Sequence, residues 1–191
     1  MRIGIDVDDT ITNSWEALRP HYSRLFKVDE DILKQSKPYY SSVKDKLGSI
    51  DEYFEKIVPI YDEVIPQVEL KDNVKEVIDK LSQDGHDIIF ITARGRGHTD
   101  PYKQTKDYLD RHKIKYDKII VNAANKANVC QSEKIDLFID DSTRNCQATS
   151  DLGIETLLFE TNYNKDNDTL NHVKSWLDIY NYIKGRWENG R

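Results

Sequence analysis

"RIGIDVDDTIT", residues 2–12, runs from a short apolar segment directly into three carboxylates. The apolar part has the length and composition of a buried strand, and Asp6, Asp8 and Asp9 come where that strand should end. Ligands of open parallel sheets bind beyond the carboxyl ends of the strands. This stretch therefore decides the fold that is expected and the edge of the sheet where chemistry is expected.

Further aliphatic runs bounded by turn residues recur along the chain, and each is predicted to be a buried strand. They cover residues 86–92, 116–122, 135–141 and 154–160. Helical patterns lie between them, at residues 73–81, 101–112, 126–133 and 142–152. This alternation predicts an α/β fold built on a doubly wound, Rossmann-like parallel sheet of about five strands.

Residues 13–72 interrupt the alternation, because no second strand follows the first one early in the chain. We predict that this segment, named the cap, is a small helical insertion. Residues 1–12 and 73–191 then form the core domain. An amphipathic helix from about Leu170 to Ile183 is expected to close the sheet.

Two helices are expected within the cap. Residues 12–26 carry apolar side chains at helical spacing after cap candidates at Thr12 to Ser14, with Pro20 expected to kink the helix. A second helix is predicted from Ile50 to Ile57, ending near Pro59. The aromatic residues of the cap either form its own core or stack on a planar ligand, and none is assigned to a ligand.

The bulk composition excludes several classes of protein. A net charge of −6 over 191 residues argues against a nucleic-acid polymer as partner. Cys130 and Cys146 are too few for a disulfide framework, which favours a reducing cytoplasm. Neither a signal-peptide core nor a run of membrane-spanning length is present, so no membrane association is expected.

Acidic residues recur at the predicted strand ends. Asp6 and Asp8 follow the first strand, and Asp140 and Asp141 end the fourth, while Thr92 ends the second. Acids that converge in a partly dry site repel one another unless a cation lies among them. Oxygen ligands without nearby His or Cys suit Mg²⁺, which often completes its coordination with a substrate phosphate.

Phosphoryl chemistry follows from this arrangement. The Asp6 carboxylate could attack phosphorus without a separate base, and Asp8 could protonate the leaving oxygen and deprotonate a water molecule. Solvated turn acids are the alternative for a single cluster. Here two acid clusters lie at matched strand ends and Thr92 lies at a third. This arrangement favours a metal-binding site over solvated turn acids.

Four segments resemble the motifs of the haloacid dehalogenase superfamily of phosphatases. These are "DVDDT" (6–10), "FITAR" (90–94), a downstream lysine and "FIDDS" (138–142), and the similarity covers residues 1–12 and 73–160. The helical insertion, "KANVCQSEKIDLFIDDS" (126–142) and the Trp-containing terminal helix resemble the 5′(3′)-deoxyribonucleotidase-like branch.

The resemblance implies a role for each matching residue. Asp6 would be the nucleophile, Asp8 the acid and base, and Thr92 would hold the transferring phosphoryl group. The implied metal ligands are Asp6, the backbone carbonyl of Asp8 and Asp141, with Asp140 acting through water or hydrogen bonds. Thr10 would shape the first loop. The expected substrate-binding residues are Thr92, Ala93, Arg94 and Lys126.

Both Lys126 and Lys134 precede the fourth strand, and strand geometry favours Lys126 as the motif lysine. Lys134 would enter the amino end of that strand, whereas Lys126 begins the preceding helix, which faces the carboxyl side of the sheet. A lysine at a helix N-terminus opposes the macrodipole, which hints at an anionic neighbour.

Two segments keep open alternatives. Residues 94–98 form a basic loop that either contacts the phosphate or sugar or is simply solvated. Arg144 and Asn145 follow the second acid pair and either orient it or play no part.

The predicted function is a Mg²⁺-dependent phosphomonoesterase that hydrolyses a nucleoside monophosphate through an aspartyl-phosphate. A sugar phosphate or another small phosphomonoester is the alternative substrate. A receiver-like signalling domain and a non-catalytic binding module are rival classes, disfavoured by the late acid pair, the long cap and the complete catalytic set. The aromatic terminal helix is compatible with a homodimer.

Overall fold

Six parallel strands form one sheet in the order β3-β2-β1-β4-β5-β6. The computed structural model describes residues 1–189, with side chains for residues 1–186. The strands are β1 (Arg2–Ile5), β2 (Asp87–Ile91), β3 (Lys118–Ile120), β4 (Leu137–Asp140), β5 (Glu155–Phe159) and β6 (His172–Val173). Every residue of β4 is buried, so both faces of this strand are covered. The predicted doubly wound α/β fold is confirmed.

Helices connect these strands and form the cap. They are α1 (Ser14–Phe26), α2 (Glu30–Gln35), α3 (Tyr40–Val43), α4 (Ile50–Val64), α5 (Val74–Gln83), α6 (Pro101–Arg111), α7 (Lys126–Ser132), α8 (Thr143–Ser150) and α9 (Trp176–Asn189). Helices α1 to α4 lie in the cap. Of these, α2 and α3 are shorter than any helix that the sequence pattern predicts. Among residues 1–189, no helix combines the length and apolar character that a membrane span requires.

Two prolines of the cap lie inside helices instead of ending them. The prediction that the second cap helix ends near Pro59 is wrong, because α4 continues through Pro59 to Val64. Tyr53, Ile57 and Tyr61 are buried along one face of α4, and this packing outweighs the local cost of proline. Pro20 likewise lies inside α1.

The C-terminal segment differs from its predicted helix. Residues 172–173 form the sixth strand, in which His172 and Val173 pair with Leu158 and Phe159 of β5. Helix α9 begins only at Trp176, after the Ser175 hydroxyl accepts a hydrogen bond from the Asp178 N–H at 3.2 Å. A helical start at Leu170 is therefore wrong, and the sheet gains one strand over the expected number.

Buried apolar side chains form separate clusters around the sheet and within the cap. The cap cluster draws its fully buried members from residues 15–68, including Trp15, Leu18 and Ile57. At its centre the hydroxyls of Tyr22, Tyr53 and Tyr61 hydrogen-bond to one another at 2.5, 2.9 and 3.0 Å. Many aromatic side chains of the cap thus pack in the cap's own core.

Two antiparallel segments join the cap to the sheet, and we name them the hinge: residues 11–13 and 69–71. Thr12 pairs with Leu70 across the hinge. The Asn13 N–H donates to the Glu69 carbonyl at 3.3 Å, and the Lys71 N–H donates to the Ile11 carbonyl at 2.9 Å. The cap therefore leaves and re-enters the sheet at one place.

Candidate active site

The carboxyl ends of β1 and β4 bring acids from two distant parts of the chain together. Ile5 pairs with Ile139, and the Asp6 N–H donates to the Ile139 carbonyl at 2.9 Å. Asp6, Asp140 and Asp141 each offer a carboxylate oxygen, and these three oxygens lie within 4.8 Å of one another. All three residues are buried, so the structure brings together the acids that the sequence placed at matched strand ends.

Lys126 lies among these acids. It is the first residue of α7, and its Nζ donates to a carboxylate oxygen of Asp6 and to Asp140 Oδ2, the latter at 2.7 Å. Its side chain is 3% exposed, whereas Lys134 is an exposed residue. The strand geometry that favours Lys126 over Lys134 thus agrees with its position beside Asp6.

The start of α8 and the loop after β1 supply hydrogen bonds to the second acid pair. Asp140 accepts hydrogen bonds from the Ser142 N–H at 2.6 Å and from Asn145 Nδ2 at 3.1 Å. Asn145 thus contacts Asp140 of this pair, while Arg144 is exposed. Thr10 lies between the two clusters, since its hydroxyl lies 3.4 Å from Asp6 Oδ2 and accepts from the Asp141 N–H at 3.1 Å.

The charge of the acid cluster indicates whether it is suited to bind a cation. Lys126 pairs with Asp6 and Asp140 of the three, so the fully ionised cluster carries more negative charge than this ammonium group compensates. Burial raises the pKa of Asp6 to about 7 against the opposing attraction of Lys126, and burial also raises the pKa of Asp141 well above its usual range. An all-oxygen donor set with uncompensated negative charge fits a hard divalent cation.

The Asp8 carboxylate pairs with Arg94 and not with Lys126. Arg94 Nε and Nη2 donate to its two carboxylate oxygens at 2.8 and 2.7 Å, and the Ser14 hydroxyl donates at 2.6 Å. Burial alone would raise the pKa of Asp8, but the Arg94 guanidinium outweighs it and holds that pKa at about 2. The Asp8 carboxylate is thus kept ionised by a buried fork of two hydrogen bonds.

Thr92 begins the loop that supplies Arg94. Its hydroxyl accepts from the Arg94 N–H at 3.2 Å, and its own N–H donates to the Ile120 carbonyl at 2.9 Å. Thr92 and Arg94 are buried, whereas Ala93 between them is exposed. The backbone turn at this strand end therefore aims Thr92 and Arg94 inward.

The remainder of residues 94–98 packs against the cap instead of standing free in solvent. The Arg96 guanidinium lies 5.0 Å from the centre of the Phe54 ring and also pairs with Asp51. The His98 ring lies 5.1 Å from the ring of Tyr61. This loop thus connects the end of β2 to α4.

The sequence pattern did not identify several residues that hold the site. Asp9 is buried at a positive φ of 64°, and it accepts hydrogen bonds from the Trp15 N–H at 2.8 Å and the Tyr39 hydroxyl at 2.5 Å. The Tyr163 hydroxyl donates to Asp141 at 2.5 Å. Trp176 Nε1 donates to the Thr10 carbonyl at 3.1 Å. A third acid in "DVDDT" was a signal for Asp9, but no motif marks Tyr39 or Tyr163 as residues of the site.

The profile of the family described as 5′ nucleotidase, deoxy (pyrimidine), cytosolic type C protein (NT5C) matches residues 1–187. The chain belongs to the NT5C family. A nucleotidase of Clostridium acetobutylicum is 30% identical over 195 residues, which cover 98% of this chain and 96% of that protein. This NT5C family member is therefore a nucleotidase, that is, a phosphomonoester hydrolase.

Solved structures share the fold of this NT5C chain. A haloacid dehalogenase-like hydrolase from Streptococcus pneumoniae superposes with a TM-score of 0.71 at 18% identity, covering 95% of this chain and 97% of that one. A haloacid dehalogenase superfamily hydrolase from Geobacter sulfurreducens gives a TM-score of 0.63 at 14% identity, with 95% of each chain covered. At this identity the likeness concerns the fold alone.

Proposed function

We propose that the chain hydrolyses a nucleoside monophosphate with Mg²⁺ bound at the Asp6, Asp140 and Asp141 cluster. The observation that carries this proposal is the meeting of these three buried carboxylates with Lys126 at the carboxyl ends of adjacent strands. Asp6, the backbone carbonyl of Asp8 and Asp141 would hold the ion, with Asp140 acting through hydrogen bonds. The bound ion would supply positive charge against the phosphoryl oxygens.

Asp6 is the proposed nucleophile. Its carboxylate attacks phosphorus and the bond to the nucleoside oxygen breaks, which leaves an acyl phosphate on Asp6. Once Arg94 leaves Asp8 for the substrate phosphate, Asp8 takes up a proton from solvent, gives it to the departing oxygen and then takes one from a water molecule. That water attacks the acyl phosphate at phosphorus, releases inorganic phosphate and restores the Asp6 carboxylate.

Thr92, Ala93, Arg94 and Lys126 are the proposed substrate-binding residues. Thr92 and Lys126 hold the transferring phosphoryl group, and the exposed Ala93 borders the site. Arg94 passes from Asp8 to the substrate phosphate, because a phosphate offers the same two-oxygen acceptor as a carboxylate. Asp8 is then free to exchange protons with the leaving oxygen.

A phosphate-release assay tests the substrate and the metal. We expect the protein to release phosphate from nucleoside monophosphates with Mg²⁺ and to lose this activity in excess EDTA. Failure to turn over any phosphomonoester would reject the proposal. Turnover of sugar phosphates alone would favour the alternative substrate class and leave the phosphoryl chemistry in place.

The nucleophile is tested separately. Asp6→Asn should lower turnover by at least roughly 1,000-fold, because the amide is not a nucleophile at phosphorus. Asp87→Asn, at the amino end of β2 on the opposite edge of the sheet, is the matched control and should retain activity. Acid-quenched wild-type protein should carry phosphate on the peptide that contains Asp6. Residual turnover in Asp6→Asn close to that of the control would assign the attack to another group.

We further propose that the protein acts in the cytoplasm on small nucleotides and that α9 supports association of two chains. The family description names a cytosolic protein, which supports the first point. Leu177 of α9 is 43% exposed, which supports the second. Sedimentation of the purified protein at several concentrations measures its oligomeric state.

A further inference from the structure

The turn after β5 reaches the acid cluster from outside the four motifs. This turn covers residues 161–164, "TNYN", a polar stretch in which the sequence pattern predicts only a loop. The Tyr163 hydroxyl donates to Asp141 Oδ2 at 2.5 Å. Asn164 Nδ2 donates to the Asp141 carbonyl at 2.7 Å. One short turn therefore contacts both the side chain and the backbone of an acid that is proposed to hold the metal.

Tyr163 is held in place by this turn and by the cap. The Thr161 N–H donates to Asn164 Oδ1 at 2.7 Å, and Asn164 Nδ2 also donates to the Phe159 carbonyl at 2.8 Å. Asn164 is buried. The Tyr163 ring packs against the cluster of buried side chains in the cap. Contacts with its backbone neighbours and its ring therefore fix the hydroxyl beside Asp141.

The two carboxylate oxygens of Asp141 have different surroundings. Thr10 Oγ1 lies 3.3 Å from Asp141 Oδ1 and 3.4 Å from Asp6 Oδ2, so Oδ1 is the oxygen on the Asp6 side. Oδ2 accepts the hydrogen bond from Tyr163. An ionised carboxylate only accepts hydrogen bonds, so the tyrosine proton points at Oδ2. This proton competes with a cation for Oδ2 and leaves Oδ1 as the favoured metal ligand.

Hydrogen bonds restrict the other two acids of the cluster in the same way. Asp140 accepts at Oδ1 from the Ser142 N–H at 2.6 Å and at Oδ2 from Asn145 Nδ2 at 3.1 Å. Asp6 accepts at Oδ1 from Lys126 Nζ. Each acid of the cluster therefore has at least one oxygen engaged by a hydrogen-bond donor.

This restriction discriminates between divalent cations. Ca²⁺ takes roughly 6–8 oxygen ligands and readily uses both oxygens of a carboxylate, whereas Mg²⁺ takes an octahedral set that includes several water molecules. Acids that each present one oxygen therefore suit Mg²⁺ better than Ca²⁺. Release of the second oxygen of Asp141 would weaken this preference.

We propose that Tyr163 is a positioning residue that limits Asp141 to one metal-facing oxygen and thereby favours Mg²⁺ over Ca²⁺ at the acid cluster. This inference rests on the proposed function, because it requires a divalent cation to bind at the cluster. Tyr163 is the informative position, since its hydroxyl can be removed without changing the charge of the cluster. A change at Lys126 would alter that charge.

Metal binding tests this role without an activity assay. The probe is Mn²⁺ bound to the full chain, and its displacement by Mg²⁺ and by Ca²⁺ is followed by electron paramagnetic resonance. Tyr163→Phe should weaken Mg²⁺ binding about tenfold, an effect typical of losing a hydrogen-bond partner of a metal ligand. Ca²⁺ binding should stay the same or tighten, because a second oxygen of Asp141 becomes available. The preference for Mg²⁺ should thus fall at least roughly tenfold.

The ratio of the two affinities separates this role from a purely structural one. A loosened site would weaken both ions alike and leave the ratio unchanged, which would overturn the proposal. Tyr163→Leu also lacks the ring and should give the same ratio as Tyr163→Phe. A ratio that changes only in Tyr163→Leu would assign the effect to packing and refute the role of the hydroxyl.

Tyr116→Phe is the matched control. It removes a tyrosine hydroxyl that donates to the Asp110 carboxylate at 2.8 Å, before β3 and therefore at the amino-terminal edge of the sheet. This variant should keep the wild-type affinities for both ions. An equal loss of Mg²⁺ preference in Tyr116→Phe and Tyr163→Phe would contradict a local effect on Asp141.

Asp141→Asn separates failure of this inference from failure of the proposed function. It should weaken Mn²⁺ binding strongly, because it removes a charged ligand. Mn²⁺ binding that is unchanged in Asp141→Asn would place the ion elsewhere and reject both the metal site and the role of Tyr163. Loss of binding in Asp141→Asn together with a wild-type ratio in Tyr163→Phe would reject the role of Tyr163 alone.

Discussion

At the scale of single residues, Asp8 and Arg94 show how the loop after β2 is tied to the loop after β1. The Arg94 side chain is 1% exposed and that of Asp8 is 21% exposed, so this ion pair is largely removed from water. Two loops distant in sequence meet through two charge-assisted hydrogen bonds. Loss of either partner would leave the other charge uncompensated.

Arg94→Met should therefore lower the free energy of unfolding by about 3–5 kcal/mol, because it leaves the Asp8 carboxylate buried and unpaired. Arg96→Met, two residues away, removes a pair with Asp51 whose side chains are 61% and 64% exposed. This control should cost only about 1 kcal/mol. Urea unfolding measures both values, and equal losses would contradict a buried role for Arg94.

His98 makes the stability depend on pH. Burial lowers its pKa, and the nearby Arg94 lowers it further, while Asp8, Gln104 and Asp62 oppose these effects. The unfolded chain therefore binds a proton at His98 more readily than the folded chain does. The protein loses stability as the pH falls below the unfolded pKa of about 6.5.

His98→Gln should lose less stability than the wild type between about pH 7.5 and about pH 5.5, because glutamine takes up no proton. His86 and His112 also have lowered pKa values and contribute the same slope to both proteins. The measurement is the free energy of unfolding in urea at each pH. Parallel pH profiles would show that His98 makes no contribution.

Much of the site could be predicted residue by residue, because a side chain at the carboxyl end of a parallel strand lies at a known edge of the sheet. Asp6, Thr92 and Asp140 follow apolar runs whose parallel pairing brings their ends to one edge of the sheet. Tyr163 and Trp176 reach the same site from a loop and from a later helix. No periodic pattern relates them to the strand ends, so only the tertiary structure places them there.

At the scale of elements, α1 and α4 show packing that overrides local preference. Pro20 and Pro59 are exposed residues inside helices, where each removes a backbone hydrogen bond. The rule that proline ends a helix is a statement about isolated segments. Burial of one face of α4 carries that helix past the residue where the local rule predicts a stop.

Replacing either proline by alanine should stabilise the protein by about 1–3 kcal/mol, because it restores a hydrogen bond without altering the core. Pro59→Ala and Pro20→Ala serve as controls for each other, since both positions are exposed. Thermal unfolding should show a higher midpoint for each variant. A lower midpoint would mean that the proline conformation is itself required by the cap.

The short strand β6 was missed for a related reason. Two residues are too few to show strand periodicity, and their pairing with β5 depends on contacts that are remote in sequence. The apolar residues of α9 follow within a few positions. Together with Val173 they give a helical spacing that begins before the helix itself does. Periodicity therefore identified the long elements and missed short ones such as β6, α2 and α3.

At the scale of the whole molecule, the clusters of buried side chains support a division into two units. We propose that residues 13–72 form a cap that opens separately from a core domain of residues 1–12 and 73–191. The hinge joins them through two short antiparallel segments. The Tyr22, Tyr53 and Tyr61 hydroxyls stabilise the cap from within.

Tyr22→Phe should lower the opening free energy of the cap by about 1–3 kcal/mol, because it removes the hydroxyl shared by Tyr53 and Tyr61. Hydrogen exchange should then accelerate at amides of α1 and α4 while those of β1 and β4 stay protected. Tyr116→Phe, the same change outside the cap, is the control. Equal acceleration across the sheet and the cap would show one cooperative unit.

The strand order has a consequence for synthesis on the ribosome. Strand β1 is made first but lies in the middle of the sheet, between β2 and β4. At roughly 5–20 residues per second, its apolar edge waits for several seconds before the second neighbour emerges. Nascent chains of this protein should therefore be clients of ribosome-associated chaperones until β4 has emerged from the ribosome.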